Sequence, residues 1–323
     1  MQASAQGTLA ASLSDRWVRP SVILVPTALN DLSRLGPFAL QQAEQLQARL
    51  ILLHVLGSGT AFSIDPAGLP FYDPASAQAY ADKAMAPVCQ EARRRGIACD
   101  TLLREGNVAQ QIATAARQFR AGRLLMGTRG HSKLGKLLLG SVAEQVLRSV
   151  QLPVMTVGPE AHLQVDRGDR QPVVLYATTL RETSRPSAAL ACQVAASMAA
   201  KLLLLHVLPA ADEMQRQGLP EGLDALARHE LELLARQSGC ASGLSIEAVI
   251  VHGNPHIEIL AEASEREADL IVLGSSSRTA LENLTRDRVV FRVLAHARSP
   301  VLTLLEPVAE KEDALTDSLA IPR

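Results

Sequence analysis

The sequence predicts an α/β protein of two tandem doubly wound (Rossmann-like) domains, each a five-stranded parallel sheet flanked by helices. Three observations carry this expectation. The length of 323 residues suits about two domains, each able to bury its own core. Short, wholly apolar runs alternate with longer stretches of helical periodicity, as expected for parallel strands covered on both faces. The chain also repeats itself. Ala48–Leu56 returns as Ala200–Leu208 with seven of nine positions identical, and Leu152–Val157 returns as Ser299–Leu304. Gly106-Asn107 recurs as Gly253-Asn254, and the offset stays between 147 and 152 throughout. So long a period marks duplicated domains, since solenoid units repeat every ~20–50 residues.

Each element follows in order. In the first copy the apolar runs Val22–Thr27, Ile51–Val55, Ala98–Arg104, Leu124–Gly127 and Val154–Val157 are expected strands. Helical patterns fall at Ser33–Ala48, Ala75–Arg95, Val108–Phe119 and Ser141–Val150. The second copy offers strands at Val173–Thr178, Leu202–Val207, Leu244–Val251, Leu270–Gly274 and Val301–Leu305. Gly57–Pro74, rich in Gly, Pro and Ser, is expected to be a flexible loop. Glu160–Gln171 reads as a polar linker and Glu306–Arg323 as a loose tail, which puts the domains at 1–160 and 161–323.

Composition narrows the function classes. A net charge of −1 and pI near 6.7 argue against a nucleic-acid binder, which carries a basic excess. No apolar run approaches the roughly 20 residues needed to span a membrane. The first twenty residues lack the apolar block of a signal peptide, so a cytoplasmic protein is expected. Cys89, Cys99, Cys192 and Cys240 form no C-x-x-C and no metal-ligand spacing, and read as buried or incidental thiols.

One segment carries chemistry. Gly127-Thr128-Arg129-Gly130, nine further residues and Gly140-Ser141 lie between an expected buried strand and an expected helix. Such a loop presents free backbone N–H groups beside a helix N-terminus, where a phosphate binds well. Glycine suits these places because a Cβ would block close approach or forbid positive φ.

The spacing G-x-x-G, nine residues, G-[ST] resembles the universal stress protein family in its tandem form. Gly127, Gly130, Gly140 and Ser141 match that pattern completely. The opening strand Val22–Thr27, the Leu-Leu-His-Val strand, the Gly-Asn turn and the closing Pro-Val strand are also similar to the family's. The resemblance covers residues 18–158 and 170–306, nearly the whole chain. It implies ATP, with or without Mg²⁺, at the carboxyl ends of the strands, the switch point of an open α/β sheet. Gly127, with Met126 beside it, would approach the ribose, and Val55 would meet adenine through its backbone. Gly130, Gly140, Ser141 and Val142 would hold the phosphates, with Pro26 and Thr27 in the same pocket and Arg129 within the loop. It further implies that Val154–Val157 and Val301–Leu305 are edge strands that pair into an intramolecular pseudo-dimer, with homodimerisation left open.

One position departs. Where the family's first strand continues into an Asp, this chain has Ala28, with Asp31 three residues on. Losing a charged hydrogen bond costs roughly 1.5–3 kcal/mol, about ten- to a hundred-fold in affinity, so weak binding is expected.

The second copy has lost the pattern: Gly130, Gly140 and Ser141 correspond to Ser277, Asp287 and Arg288, and only Gly274 survives. A carboxylate about 4 Å from a phosphate repels it by about 4 kcal/mol at an effective dielectric of about 20. The charges agree. Gly106–Ala143 holds six basic residues (Arg117, Arg120, Arg123, Arg129, Lys133, Lys136) and no acid, whereas His252–Val290 holds seven acids.

Other motifs are set aside. Gly130–Lys136 mimics a P-loop, but Leu137 follows where Mg²⁺ needs Ser or Thr. His54 and His206 recur at equivalent strand ends, which favours a structural role. His252 and His256 are split by Gly-Asn-Pro and make no helical metal pair. No nucleophile–base pair or paired carboxylates can be picked out, so no catalytic or metal residue is assigned and any ATPase would be slow. The expected function is a regulatory adenine-nucleotide binder of the stress response acting on an unknown protein partner. A nucleotide-independent stress scaffold is the alternative.

Overall fold

The computed structural model describes residues 16–57, 62–64, 70–128, 139–163, 169–216, 222–276 and 286–306. The first half runs β1 (Val22–Thr27), α1 (Leu32–Leu46), β2 (Arg49–Leu56), β3 (Phe62–Ile64), β4 (Pro70–Tyr72), α2 (Pro74–Arg94), β5 (Cys99–Glu105), α3 (Val108–Gln118), β6 (Arg123–Gly127), α4 (Ser141–Ser149) and β7 (Val154–Val157). The second half runs β8 (Val173–Ala177), α5 (Arg185–Ser197), β9 (Lys201–Leu208), α6 (Ala211–Arg216), α7 (Leu223–Gln237), β10 (Ile246–His252), α8 (Pro255–Glu265), β11 (Leu270–Ser276), α9 (Arg286–His296) and β12 (Val301–Glu306).

Ten strands form one sheet in the order β10-β9-β8-β11-β12-β7-β6-β1-β2-β5. Within each half of this sheet every pairing is parallel, and helical crossovers connect the strands. The central strands are apolar because both faces are covered, while the edge strands β5 and β10 carry polar residues and are only partly buried. Ile23 and Val25 face one core, shared with α1, α2, α5 and α7, while Leu24 faces the other, shared with α3, α4, α8 and α9. Both cores run across the two halves.

The halves meet where β7 and β12 pair antiparallel through Thr156–Val301, Met155–Leu302 and Val154–Thr303. The threonine side chains extend this short ladder reciprocally. Thr156 Oγ1 donates to the Val301 carbonyl and Thr303 Oγ1 to that of Val154, each at 3.2 Å. Two edges that would otherwise stand open thereby cover one another.

The repeat is visible in backbone detail. Gly106 and Gly253 turn the chain at φ 118° and 146°, a region that disfavours any Cβ, and Asn107 and Asn254 then sit at the N-caps of α3 and α8. Asn107 accepts from Gln110 N at 3.0 Å.

Two expectations are corrected. The Gly57–Pro74 segment is not simply a loop, because β3 and β4 pair as an antiparallel hairpin. Phe62-Ser63-Ile64 and Pro70-Phe71-Tyr72 supply the aromatic and β-branched residues that suit strands. The cysteines are not free thiols. Cys89 of α2 bonds Cys99 of β5, and Cys192 of α5 bonds Cys240 after α7, with Cα–Cα distances of 5.4 and 5.0 Å. Among the described residues no helix is long and apolar enough to cross a membrane.

Candidate functional site

The strand order of the first half, β5-β2-β1-β6-β7, reverses direction between β1 and β6. There the carboxyl ends separate. β1 stays paired with β2 as far as Thr27–His54, but pairs with β6 only at Ile23–Arg123 and Leu24–Leu124. A crevice at such a switch point is where open α/β sheets receive ligands.

The structure brings most of the sequence-predicted residues to this crevice. Pro26 and Thr27 end β1, Met126 and Gly127 end β6, and Val55 lies one residue beyond the last β1–β2 pair. Gly140, Ser141 and Val142 open α4. Arg129 and Gly130, with the rest of 129–138, lie outside the described residues.

Gly140 donates its N–H to the Thr128 carbonyl at 2.8 Å, closing the neck of the 129–138 segment. Its amide is therefore engaged, and the donors left for an anion are the next backbone amides of α4. Gly140 caps this helix without any side-chain hydrogen bond, and Ser141 is exposed. Among the described residues, the first turn of α4 thus keeps the unpaired N–H groups and positive dipole end that favour an anion. Below the neck, Thr128 Oγ1 is buried and lacks a hydrogen-bond partner among the described residues.

The turn after β1 is held from within. Asp31 Oδ1 accepts from Thr27 Oγ1 at 2.5 Å and from Ala28 N at 3.2 Å, and Leu29, at φ 69°, donates to Thr27 Oγ1 at 2.9 Å. One oxygen of Asp31 is therefore committed to its own turn. His54 Nδ1 bonds the Thr27 carbonyl at 2.9 Å. A carbonyl only accepts, so Nδ1 carries the hydrogen. The second half repeats this bracket: Leu180 at φ 59° donates to Thr178 Oγ1, and His206 Nδ1 donates to the Thr178 carbonyl, again at 2.9 Å. The paired histidines hold strand ends in both copies, which matches the structural role expected of them.

The basic stretch of the first copy does not gather at the crevice. Helix α3 runs antiparallel to β6, so Arg117 and Arg120 sit by its carboxyl end, beside the strands' starts. Arg123 opens β6, at the opposite end from Gly127, and is buried. Of the six cations, only those in 129–138 remain candidates for the crevice, and they lie outside the described residues.

In the second half, Gly274 of β11 stands where Gly127 stands in the first. Its missing side chain is what admits Glu306, because a Cβ there would collide with the Glu306 carboxylate. That carboxylate is buried, 3% exposed. Ser187 Oγ donates to Glu306 Oε1 at 2.6 Å and lies 2.9 Å from the Tyr176 hydroxyl, which itself donates to the Ser184 carbonyl at 3.1 Å. Burial, with the nearby Glu306 charge, pushes the Tyr176 phenol up to about 12. The sequence reading missed this network. It had taken Asp287 as the acid in the second crevice; Asp287 falls in α9, its side chain outside the description, and Ser277 lies outside the described residues altogether.

The universal stress protein sequence profile matches residues 21–158 and 172–304, one match per half. The chain belongs to the universal stress protein family. Among characterised relatives, a universal stress protein of Methanocaldococcus jannaschii is 27% identical over 136 residues, 42% of this chain and 80% of that protein. One of Thermus aquaticus is 28% identical over 143 residues, 42% of this chain and 97% of the relative. Among solved structures, a universal stress protein from Archaeoglobus fulgidus superposes with a TM-score of 0.67 at 22% identity, covering 90% of this chain and 97% of the other. A Pseudomonas aeruginosa protein described as a putative universal stress protein gives 0.58 at 18%, covering 91% and 95%. These superpositions establish a shared fold over both halves of this universal stress protein.

Proposed function

We propose that this universal stress protein binds ATP or a related adenine nucleotide in its first half, at the β1–β6 crevice, and acts as a regulator rather than an enzyme. The asymmetry of the two crevices carries the reading. In the first half, among the described residues, the opening amides of α4 and the buried Thr128 hydroxyl have no partner; in the second, the buried carboxylate of Glu306 lies against Gly274. An oligophosphate fits the first arrangement, and the second would repel it. The amides of Ser141 and Val142 would receive the phosphates, with Gly140 allowing their close approach and Gly127 and Val55 toward the ribose and base. Any Mg²⁺ would be held chiefly by the phosphate oxygens themselves. The division into domains at 1–160 and 161–323 belongs to the same proposal and rests on the repeat and the polar stretch Glu160–Gln171.

Isothermal titration with ATP should give one site per chain, and Gly140→Asp should abolish it without lowering the melting temperature of the free protein. Two equivalent sites, or undiminished binding by Gly140→Asp, would refute the assignment. The scaffold reading has its own support in the turn after β1, where position 28 is Ala and one oxygen of Asp31 is already committed to Thr27 and Ala28. It prevails if millimolar ATP leaves the wild-type melting temperature unmoved.

A further inference from the structure

At the amino end of β6, far from the crevice, a buried cation has no counterion among the described residues. Arg123 is 3% exposed, and among the described residues no carboxylate pairs with it. Nη1 donates to Gln42 Oε1 at 2.7 Å and Nη2 to the Trp17 carbonyl at 3.0 Å, both neutral acceptors, while Nε is buried with no hydrogen-bond partner. Burial pushes the guanidinium down to about 10, which leaves it charged at neutral pH. An uncompensated charge in such a place is strongly unfavourable unless an anion joins it.

Arg123 lines a cavity of about 490 Å³ along the seam between the halves, between α1 and the end of α5. That size lies within the ~300–1,000 Å³ of small-molecule sites. Met155 of β7, Phe38 of α1, and Val194 and Met198 at α5 supply apolar wall. Asp269, the one acid on the lining, is already neutralised: it accepts from Arg170 Nη2 at 3.0 Å and from Val173 N at 2.7 Å. The charge left over in the cavity is therefore positive.

We propose that this seam cavity binds a small monocarboxylate with an apolar body, its carboxylate against Arg123 and its body against Phe38, Met155 and Met198. Arg19 and His162 also line the cavity but are exposed to solvent, so Arg123 is its buried cation and a single carboxylate is the charge that cation calls for. The planar guanidinium suits a carboxylate, and the apolar wall selects against a bare inorganic ion. The site is independent of the nucleotide reading, since β6 separates the two by about 13 Å, four residue steps of a strand.

The sole tryptophan, Trp17, gives its carbonyl to Arg123 and so reports on the cavity. Its fluorescence is followed while octanoate, octan-1-ol and inorganic phosphate are titrated separately into the full chain, with calorimetry alongside. Octanoate should bind saturably, with octanol and phosphate at least about tenfold weaker, a loss of one charge-assisted contact. Arg123→Met should reduce octanoate to the octanol level and leave the ATP titration as it was. Equal affinity for octanol and octanoate, phosphate binding as tightly as octanoate, or undiminished octanoate binding by Arg123→Met would each overturn the proposal. The three-ligand comparison on the wild-type chain decides it even if Arg123→Met does not fold.

Discussion

Restoring an acid at position 28 tests where the ribose lies. Ala28→Asp would supply the charged hydrogen bond that this chain lacks, worth roughly 1.5–3 kcal/mol, or about ten- to a hundred-fold in affinity for ATP. The structure shows why the single change should disappoint. Asp31 Oδ1 already lies 3.2 Å from Ala28 N, so the new carboxylate would stand close to an existing one. At about 5 Å and an effective dielectric of about 20, two such charges repel by about 3 kcal/mol, which offsets the gain. Ala28→Asp with Asp31→Asn removes that repulsion. The asparagine oxygen still accepts from Thr27 Oγ1 and from the residue-28 amide, so the turn with Leu29 at φ 69° is kept. Calorimetric titration should then rank the double variant at least about tenfold tighter than wild type, with Ala28→Asp alone little changed. Equal dissociation constants for the double variant and wild type, at unchanged melting temperature, would refute the placement of the ribose beside residue 28.

Three further outcomes follow from the fold. The Cys192–Cys240 bond closes a 48-residue span and Cys89–Cys99 a 10-residue span. Loop entropy then assigns them about 4 and about 3 kcal/mol, so urea midpoints of paired Cys→Ser variants should fall further for the former. Tyr176 holds its proton up to about 12 in the folded chain against 10.0 when unfolded, so folding stability should fall between pH 10 and 12, by about 3 kcal/mol. Tyr176→Phe should flatten that alkaline limb in pH-dependent denaturation. Thr156→Val and Thr303→Val each delete one hydroxyl bond across the seam and should each lower stability by about 1 kcal/mol in chemical denaturation.

The fold was legible because its strands are apolar runs bounded by polar turns, so Val22–Thr27 and Val154–Val157 emerge with the expected limits. The others shift by one or two residues where alternating polar residues such as Lys201 and Glu306 still join the ladder. The crevice was legible because its residues lie next to strand ends in sequence. What escaped depends on distant partners. Cys192 meets Cys240 only because α5 packs beside α7, and no local spacing announces it. Glu306 looked like the start of a loose tail, and only β12 continuing alongside β11 carries it to Ser187, 119 residues away. Arg123 was counted with the loop cations because charge along a chain says nothing about which end of a strand it occupies. Its burial against Gln42 and Trp17 places it in a different site.

A mirrored architecture can tolerate so uneven a pair of crevices because the seam and the crevice draw on different residues. The seam ladder uses Val154, Met155 and Thr156 against Val301, Leu302 and Thr303, the first three positions of each strand. The crevice is made beyond the other ends of β1 and β6, by Thr27, Gly127 and the start of α4. Filling the second crevice therefore leaves the ten-stranded sheet intact. It can also consolidate that half, because Glu306, Ser187 and Tyr176 hydrogen-bond one another where an open cleft would hold water. The second half then serves by pairing β12 with β7 and by closing the cavity beside Arg123, neither of which requires a nucleotide of its own.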